Sequence, residues 1–286
     1  MKQMIRTAIV ITAAGVTALM AQQPKNGPRP KTREEAQAIQ AVFTAAQQQN
    51  NDGVITAAEN VLSKYKDTQF KDTVLLLEAQ AYEIKRDMDK AQVYYERALT
   101  ANPDNYNAAL KLAELTVQGT REHDLDRDDK LAKADKYANQ AITSITAAQN
   151  PNPQRVTDKQ WEGLKKDTIA EAHDTLGRAA LDRKDYNKAV TEFKTAVDGA
   201  ANVQPAYEVR LAAAYQSSGK NDEAIAMAQK VMDEAQTPAQ FKSIAQSIRA
   251  AAIIAKNGGK APTQQNAPPP AVQINPQPQS QPQPKQ

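Results

Sequence analysis

The stretch "LGRAALDRKDYNKAVTEFKTAV" (176–197) contains parts of two helical segments joined by a short polar turn. After the turn, apolar residues recur at spacings of three and four from Tyr186 to Val197, so they share one face of a helix. Before the turn, apolar residues from Ile169 to Ala180 follow the same helical spacing. Because the turn "DRKDYN" is so short, we expect the two helices to lie antiparallel.

Similar stretches return along the chain, and an alanine in the second helix marks each of them. The marker positions are Ala57, Ala91, Ala134, Ala189 and Ala224. The first and last of the four intervals are 34 and 35 residues long. The two middle intervals are longer, and each contains an insertion, near 118–130 and near 146–164.

A period of 34 residues, with small residues where helices cross and Pro103 at a repeat end, resembles the tetratricopeptide repeat family. The resemblance covers roughly 38–236, or about five repeats, and it is strongest in the fourth repeat. It implies an all-α fold, an α-solenoid of antiparallel helix pairs wound into a right-handed superhelix. We expect this repeat domain to occupy 33–256.

The last repeat of a solenoid exposes an apolar face that needs a cover. We expect a C-terminal capping helix over 238–256, with Thr237 as its N-cap and Pro238 at its first position. Its apolar face is predicted to carry Phe241, Ile244, Ala245 and Ile248.

Gly177 stands where a helix would favour alanine, and glycine there costs about 0.5–1 kcal/mol of helix stability. The equivalent positions in other repeats are alanines, namely Ala79, Ala113 and Ala212. A small side chain therefore suffices at this position, and glycine is allowed rather than required. We expect Gly177→Ala to have only a mild effect on stability. Ala189→Leu should cause a severe loss of stability, because the larger side chain overpacks the point where two helices cross.

The resemblance also implies a binding surface, because proteins of this family bind peptides or partner helices on the concave side, which the first helices line. We expect a mixed, slightly acidic groove for a protein or peptide partner. The groove candidates are Thr73, Leu76, Gln80, Glu83, Asn107, Leu110, Glu114, Glu171, Asp174, Arg178 and Asp182. The subclass that recognises acidic C-termini has Lys and Asn where this chain has Leu76/Gln80 and Leu110/Glu114, so that mode is not expected.

Trp161 is the single tryptophan of the chain. Thr157 and Gln160 have the spacing of a capping box, which predicts a first helix over about 158–182, roughly two turns longer than usual. Trp161 and Leu164 would lie on the extension. They either pack under the 146–156 insertion, which we favour, or form an exposed apolar anchor for a partner.

Two acidic stretches offer an alternative function, calcium binding by an exported protein. The first, 48–59, resembles an EF-hand loop but has Gln48 at the first ligand position, and the second, 124–135, lacks the loop glycine. Each is more simply a polar turn, so we expect no metal or other cofactor. The weak candidate ligands are Asn50, Asp52, Glu59, Asp124, Asp126, Asp128 and Asp135.

The two ends of the chain differ from the repeat domain in composition. Residues 1–21 have a basic start, an uncharged apolar run and a small residue before the expected cut, as in a signal peptide. A flexible linker is expected over 22–32, and a disordered Pro/Gln-rich tail over 257–286. We expect export to the periplasm or the medium, with membrane contact limited to an uncleaved signal. The tail offers a further alternative, a structural envelope component tethered through it.

Composition and motifs narrow the remaining function classes. The formal net charge is only +3, which gives no electrostatic footprint for nucleic acid. The two histidines, His123 and His173, are not accompanied by a nucleophile motif, a metal-binding pair or a phosphate-binding loop. The sequence therefore predicts a non-enzymatic interaction scaffold.

Overall fold

The computed structural model describes residues 28–259, and the predicted signal peptide, residues 22–27 of the linker and the tail from residue 260 lie outside this range. Within it the chain has eleven helices and no strand. The helices are α1 (Arg33–Gln47), α2 (Asn51–Lys64), α3 (Lys71–Ile84), α4 (Met88–Ala101), α5 (Tyr106–Gly119), α6 (Arg127–Ala147), α7 (Asp158–Asp182), α8 (Tyr186–Gly199), α9 (Pro205–Ser217), α10 (Asn221–Asp233) and α11 (Ala239–Lys256). The predicted all-α fold of helix pairs is confirmed. The chain divides after Val203 into two compact units.

In the first unit, helices α1 to α8 pack as four consecutive pairs, α1/α2, α3/α4, α5/α6 and α7/α8. Three of the second helices begin with the same cap. The side chains of Asn50, Asp87 and Asp185 each accept a hydrogen bond from the backbone N–H three residues on. These caps satisfy donors that the helix leaves unpaired, and they fix where each second helix starts.

The turn before each of these caps contains a residue in the left-handed region. Gln49, Arg86 and Lys184 have φ values of 55°, 63° and 62°. In each turn the next residue's N–H returns to a carbonyl inside the preceding helix, as Asp87 does to Tyr82. This closure reverses the chain within three residues, so each second helix runs back along the first.

The second helices share one pattern of burial, in which core residues stand at positions i, i+4 and i+7. In α4 these are Ala91, Tyr95 and Ala98, all fully buried. The corresponding residues of α2 are Val54, Ala58 and Val61. Ala57, the predicted marker of the first repeat, is half-buried beside this face. That assignment was wrong, because the Asn50 cap places Val54, not Ala57, at the position of Ala91.

Gly177 is not interchangeable with alanine, which corrects the expectation from sequence. A Cβ atom built on Gly177 would lie 2.6 Å from two ring carbons of Phe193 and 2.9 Å from a third. Carbon atoms in contact normally stay about 3.5–4.0 Å apart. The ring of Phe193, on α8, therefore occupies the space that a side chain at Gly177 would need.

Helix α7 has the length that the sequence predicted. The Thr157 side chain accepts a hydrogen bond from the Gln160 backbone, and the Gln160 side chain accepts one from the Thr157 backbone, so both halves of the capping box form. The helix continues for 25 residues to Asp182. Its first turns thus extend beyond the length of the other first helices.

The second unit contains α9, α10 and α11. Helix α11 packs against both partners, and Phe241, Ile244 and Ile248 contact a core that includes Ala212. The helix begins at Ala239, one residue later than expected, because the Thr237 hydroxyl donates to Glu234 Oε2 at 3.2 Å instead of capping it. Across 28–259 no helix is both long and apolar enough to span a membrane.

Candidate partner-binding groove

All the groove candidates lie on the first helices α3, α5 and α7 of the first unit. Helices α5 and α7 contact each other directly, although α6 intervenes in the sequence. Because they belong to successive pairs, their facing side chains form one continuous surface. On α3, Thr73, Leu76 and Gln80 are half-buried, and on α5 Asn107 is exposed.

Six ionisable side chains form what we call the groove cluster, consisting of Glu83, Lys111, Glu114, Glu171, Asp174 and Arg178. Lys111 Nζ donates to Glu114 Oε2 at 2.7 Å. Glu83 accepts a hydrogen bond of 2.5 Å from the hydroxyl of the buried Tyr95, which fixes its orientation. The cluster thus brings together polar groups from three first helices, beside the apolar core that the same helices share.

The two central carboxyl groups of the cluster have pKa values that move in opposite directions. Burial raises the pKa of Glu171 to about 8, helped by the negative charge of Glu114. Burial acts on Glu114 as well, but Lys111 and a hydrogen bond with Glu171 outweigh it and hold the Glu114 pKa below its ordinary value. Burial and mutual repulsion therefore favour the retention of a proton by this pair.

Two further candidates lie toward the C-terminal end of α7. Burial raises the pKa of Asp182, against the opposing effects of Arg127, Arg178 and Arg183. Arg178 Nε lies 4.0 Å from Asp174 Oδ2, too far for a hydrogen bond. The Nε and Nη2 atoms of Arg178 are buried and have no hydrogen-bond partner. These two donors are unsatisfied in the folded chain.

Two predicted groove residues do not reach the surface. Leu110 is 4% exposed and belongs to the apolar core, and Asp174 is 5% exposed. The prediction that these two side chains contact a partner directly is therefore wrong, because the packed helices cover them. Lys111 also takes part in this surface, and its spacing of three residues from Glu114 is the sequence signal that predicts their ion pair.

Trp161 does not form an exposed anchor. Its side chain is 6% exposed, and Lys165 Nζ lies 5.9 Å from the centre of its ring. Lys165 also donates to the Thr146 carbonyl oxygen at 3.2 Å, which joins the extension of α7 to the start of the insertion. Leu164 is half-buried beside it. The burial of Trp161 contradicts the exposed anchor, and packing of Trp161 and Leu164 under the 146–156 insertion stays a prediction.

The weak calcium candidates are separated by secondary structure or paired with cations. Helix α2 begins at Asn51, so Asp52 and Glu59 lie on a helix instead of a metal-binding loop, and the Asn50 side chain caps that helix. Asp52 pairs with Lys85. Among residues 28–259 no group of three or more candidate metal ligands comes together.

In the second candidate calcium stretch, 124–135, the acidic side chains also pair with different cations. Lys130 pairs with both Asp124 and Asp126 at 2.9 Å, and Asp128 points to Arg127. Asp135 is drawn instead toward Arg183, at 3.1 Å. The four candidate carboxylates of this stretch thus lie beside cationic side chains of the chain itself, although Asp128 stays exposed.

The first insertion shapes a small cavity of ≈ 180 Å³ at the end of α7. Its lining is mostly charged, with Thr120, Arg121, Glu122, Arg127, Leu181, Asp182 and Lys184. Lys184 pairs with Glu122 across it at 3.1 Å. The insertion therefore connects to the end of the candidate groove at Asp182.

Comparisons with known proteins agree with this architecture. Residues 73–105, which include most of α3 and all of α4, match the tetratricopeptide repeat family model. A search of the curated proteins found no matching sequence.

Several solved structures are similar to the chain, and two of them are described here. One is a thermophilic TPR protein of Thermus thermophilus, with 18% identity and a TM-score of 0.50, covering 75% of this chain and 98% of that one. Another is a tetratricopeptide repeat protein from Parabacteroides merdae, with 14% identity and a TM-score of 0.42, covering 79% of this chain and 88% of that one. Residues 73–105 thus match a tetratricopeptide repeat, and the chain shares its fold of repeated helix pairs with the Thermus thermophilus protein.

Proposed function

We propose that this protein is an exported, non-enzymatic scaffold whose groove on α3, α5 and α7 binds a helix or an extended segment of a protein partner. The groove cluster carries the proposal, because it places a set of partly accessible ionisable side chains across successive first helices. Proteins built from this repeat commonly serve as protein-binding scaffolds.

His173, one of the two histidines of the chain, has a structural contact between helices. His173 Nδ1 lies 2.7 Å from Glu192 Oε2, so this histidine joins α7 to α8. Such a contact between two packed helices stabilises the repeat. No feature of the described residues favours the calcium alternative over protein binding.

Site-specific photocrosslinking in the producing cell tests the proposal. A photoreactive amino acid is placed at Asn107, which is exposed on α5, and as a control at Lys136, which is exposed on α6. We expect one abundant protein to crosslink from Asn107 and not from Lys136. Equal crosslinking from both positions, or none from either, contradicts binding in the groove.

Two companion measurements test the other parts of the proposal. A chain ending at Lys256 should give the same crosslink, since its groove is complete without the tail. Intact-mass analysis of the protein collected from outside the cytoplasm should show a chain that begins at Gln22. A full-length mass confined to the cytoplasm contradicts export.

A further inference from the structure

A glutamate stands in the core of α3 at a position where other repeats have leucine. Glu78 immediately precedes Ala79, one of the equivalent small positions on the first helices. The residues that precede the other small positions are Leu112, Leu176 and Leu211, which are 0%, 4% and 1% exposed. Glu78 is 0% exposed. The fold thus buries an ionisable carboxyl group where an apolar side chain fills the core elsewhere.

The carboxyl group of Glu78 lacks the partners that a buried charge needs. Both of its oxygen atoms are buried, and neither has a hydrogen-bond partner. An unpaired carboxylate is strongly disfavoured inside a protein, so such a group either keeps its proton or leaves the core. Desolvation accordingly raises the pKa of Glu78 to about 7. The proton therefore belongs to the packed state of α3.

Groups on both neighbouring helices face Glu78. Helix α3 packs against α2 and α4. Glu59 on α2 disfavours the ionised carboxyl group, whereas Tyr94 and Arg97 on α4 favour it. The exposed Arg97 places its guanidinium carbon 4.6 Å from the centre of the Tyr94 ring, and that ring stacks on Tyr82 with 5.2 Å between centroids. A cation is thus available at this helix contact, and it rests on an aromatic ring instead of on the carboxyl group.

We propose that Glu78 is a proton-controlled latch between the helix pairs α1/α2 and α3/α4. With its proton, the side chain packs as the leucines do, and α2 stays closed on α3. When the proton passes to the solvent, the carboxylate leaves the core and pairs with Arg97, which moves off the Tyr94 ring, and the contact of α2 with α3 opens. The latch goes beyond the proposed function, because it acts whether or not a partner occupies the groove.

Hydrogen exchange of the full chain near pH 6 and near pH 8, measured by mass spectrometry, tests this inference. The rates are corrected for the intrinsic effect of pH on amide exchange. Because folding raises the pKa of Glu78 from 4.5 to about 7, we expect amide protection in α2 and α3 to fall about tenfold between the two conditions. Protection in α7 and α8 should not change, since Glu78 does not lie in that helix pair.

Substitutions at Glu78 separate the latch from an ordinary structural role. Glu78→Leu introduces the residue type of the other repeats, and Glu78→Gln keeps the shape of the neutral side chain. Both variants should show the same protection of α2 and α3 in the two conditions. Asp89→Asn, at an exposed carboxyl group on α4, is the matched control and should keep the wild-type change.

Three results overturn the latch and leave the scaffold function standing. The first is wild-type protection of α2 and α3 that is the same near pH 6 and near pH 8. The second is a change that is spread equally over all helices, which would report global unfolding instead of a local opening. The third is a pH dependence that survives in either Glu78 variant.

Discussion

Replacing Gly177 with alanine should destabilise the protein, although alanine is the better helix former. The added Cβ would meet three ring carbons of Phe193 at 2.6–2.9 Å. The ring would have to retreat by about 1 Å to reach an ordinary carbon–carbon separation. Phe193 is fully buried, so it has no solvent-filled space to move into.

The two opposing contributions can be compared in size. Overpacking of this kind costs about 1–3 kcal/mol, whereas removing a glycine from a helix interior gains about 0.8–1.0 kcal/mol. We therefore expect a net loss of stability of up to about 2 kcal/mol. Gly163, on the same helix, supplies the control, because its Cβ would meet only Ala201 at an ordinary 3.9 Å. Gly163→Ala should be stabilising.

Denaturant unfolding of both variants, followed by circular dichroism, measures these effects. The free energies of unfolding of the two variants should differ by about 1–3 kcal/mol, the overpacking cost alone. Adding Phe193→Leu should recover part of the loss at Gly177, which a double-mutant cycle would report as coupling between the two sites. A Gly177→Ala protein as stable as Gly163→Ala would refute the argument from the ring position.

Three further substitutions test other parts of the fold. Glu78 is fully buried, and desolvation raises its pKa from 4.5 to about 7 against smaller opposing effects of Tyr94 and Arg97. Stability should therefore fall as pH rises from about 4.5 to 7, by at most about 3 kcal/mol, and thermal melts of Glu78→Gln should lose that dependence. Ala189→Leu should lower the melting temperature sharply, because Ala189 is fully buried and overpacking costs about 1–3 kcal/mol; an unchanged midpoint contradicts the packing. Arg86→Gly should raise the free energy of unfolding by about 1 kcal/mol, since Arg86 has a φ of 63°; a loss of stability would show that its side chain matters more than its backbone.

Local sequence determined the helices and most of their ends. Apolar spacing predicted α7 and α8, and the pair Thr157 and Gln160 predicted the start of α7 to the residue. These features succeed because helix periodicity and capping depend on residues within a few positions of one another. The predicted N-cap of α11, Thr237, was wrong for an equally local reason. Its hydroxyl donates to the nearby Glu234 side chain instead of capping the helix.

Tertiary structure decided the features that depend on how helices approach each other. Sequence showed that Gly177 was small, but only the position of the Phe193 ring, on another helix, makes glycine necessary. Likewise, the buried state of Leu110 and the meeting of Glu114 with Glu171 depend on the packing of α5 against α7. Spacing along the chain specifies which face of a helix is apolar, whereas the distance between two faces is set by every side chain packed between them.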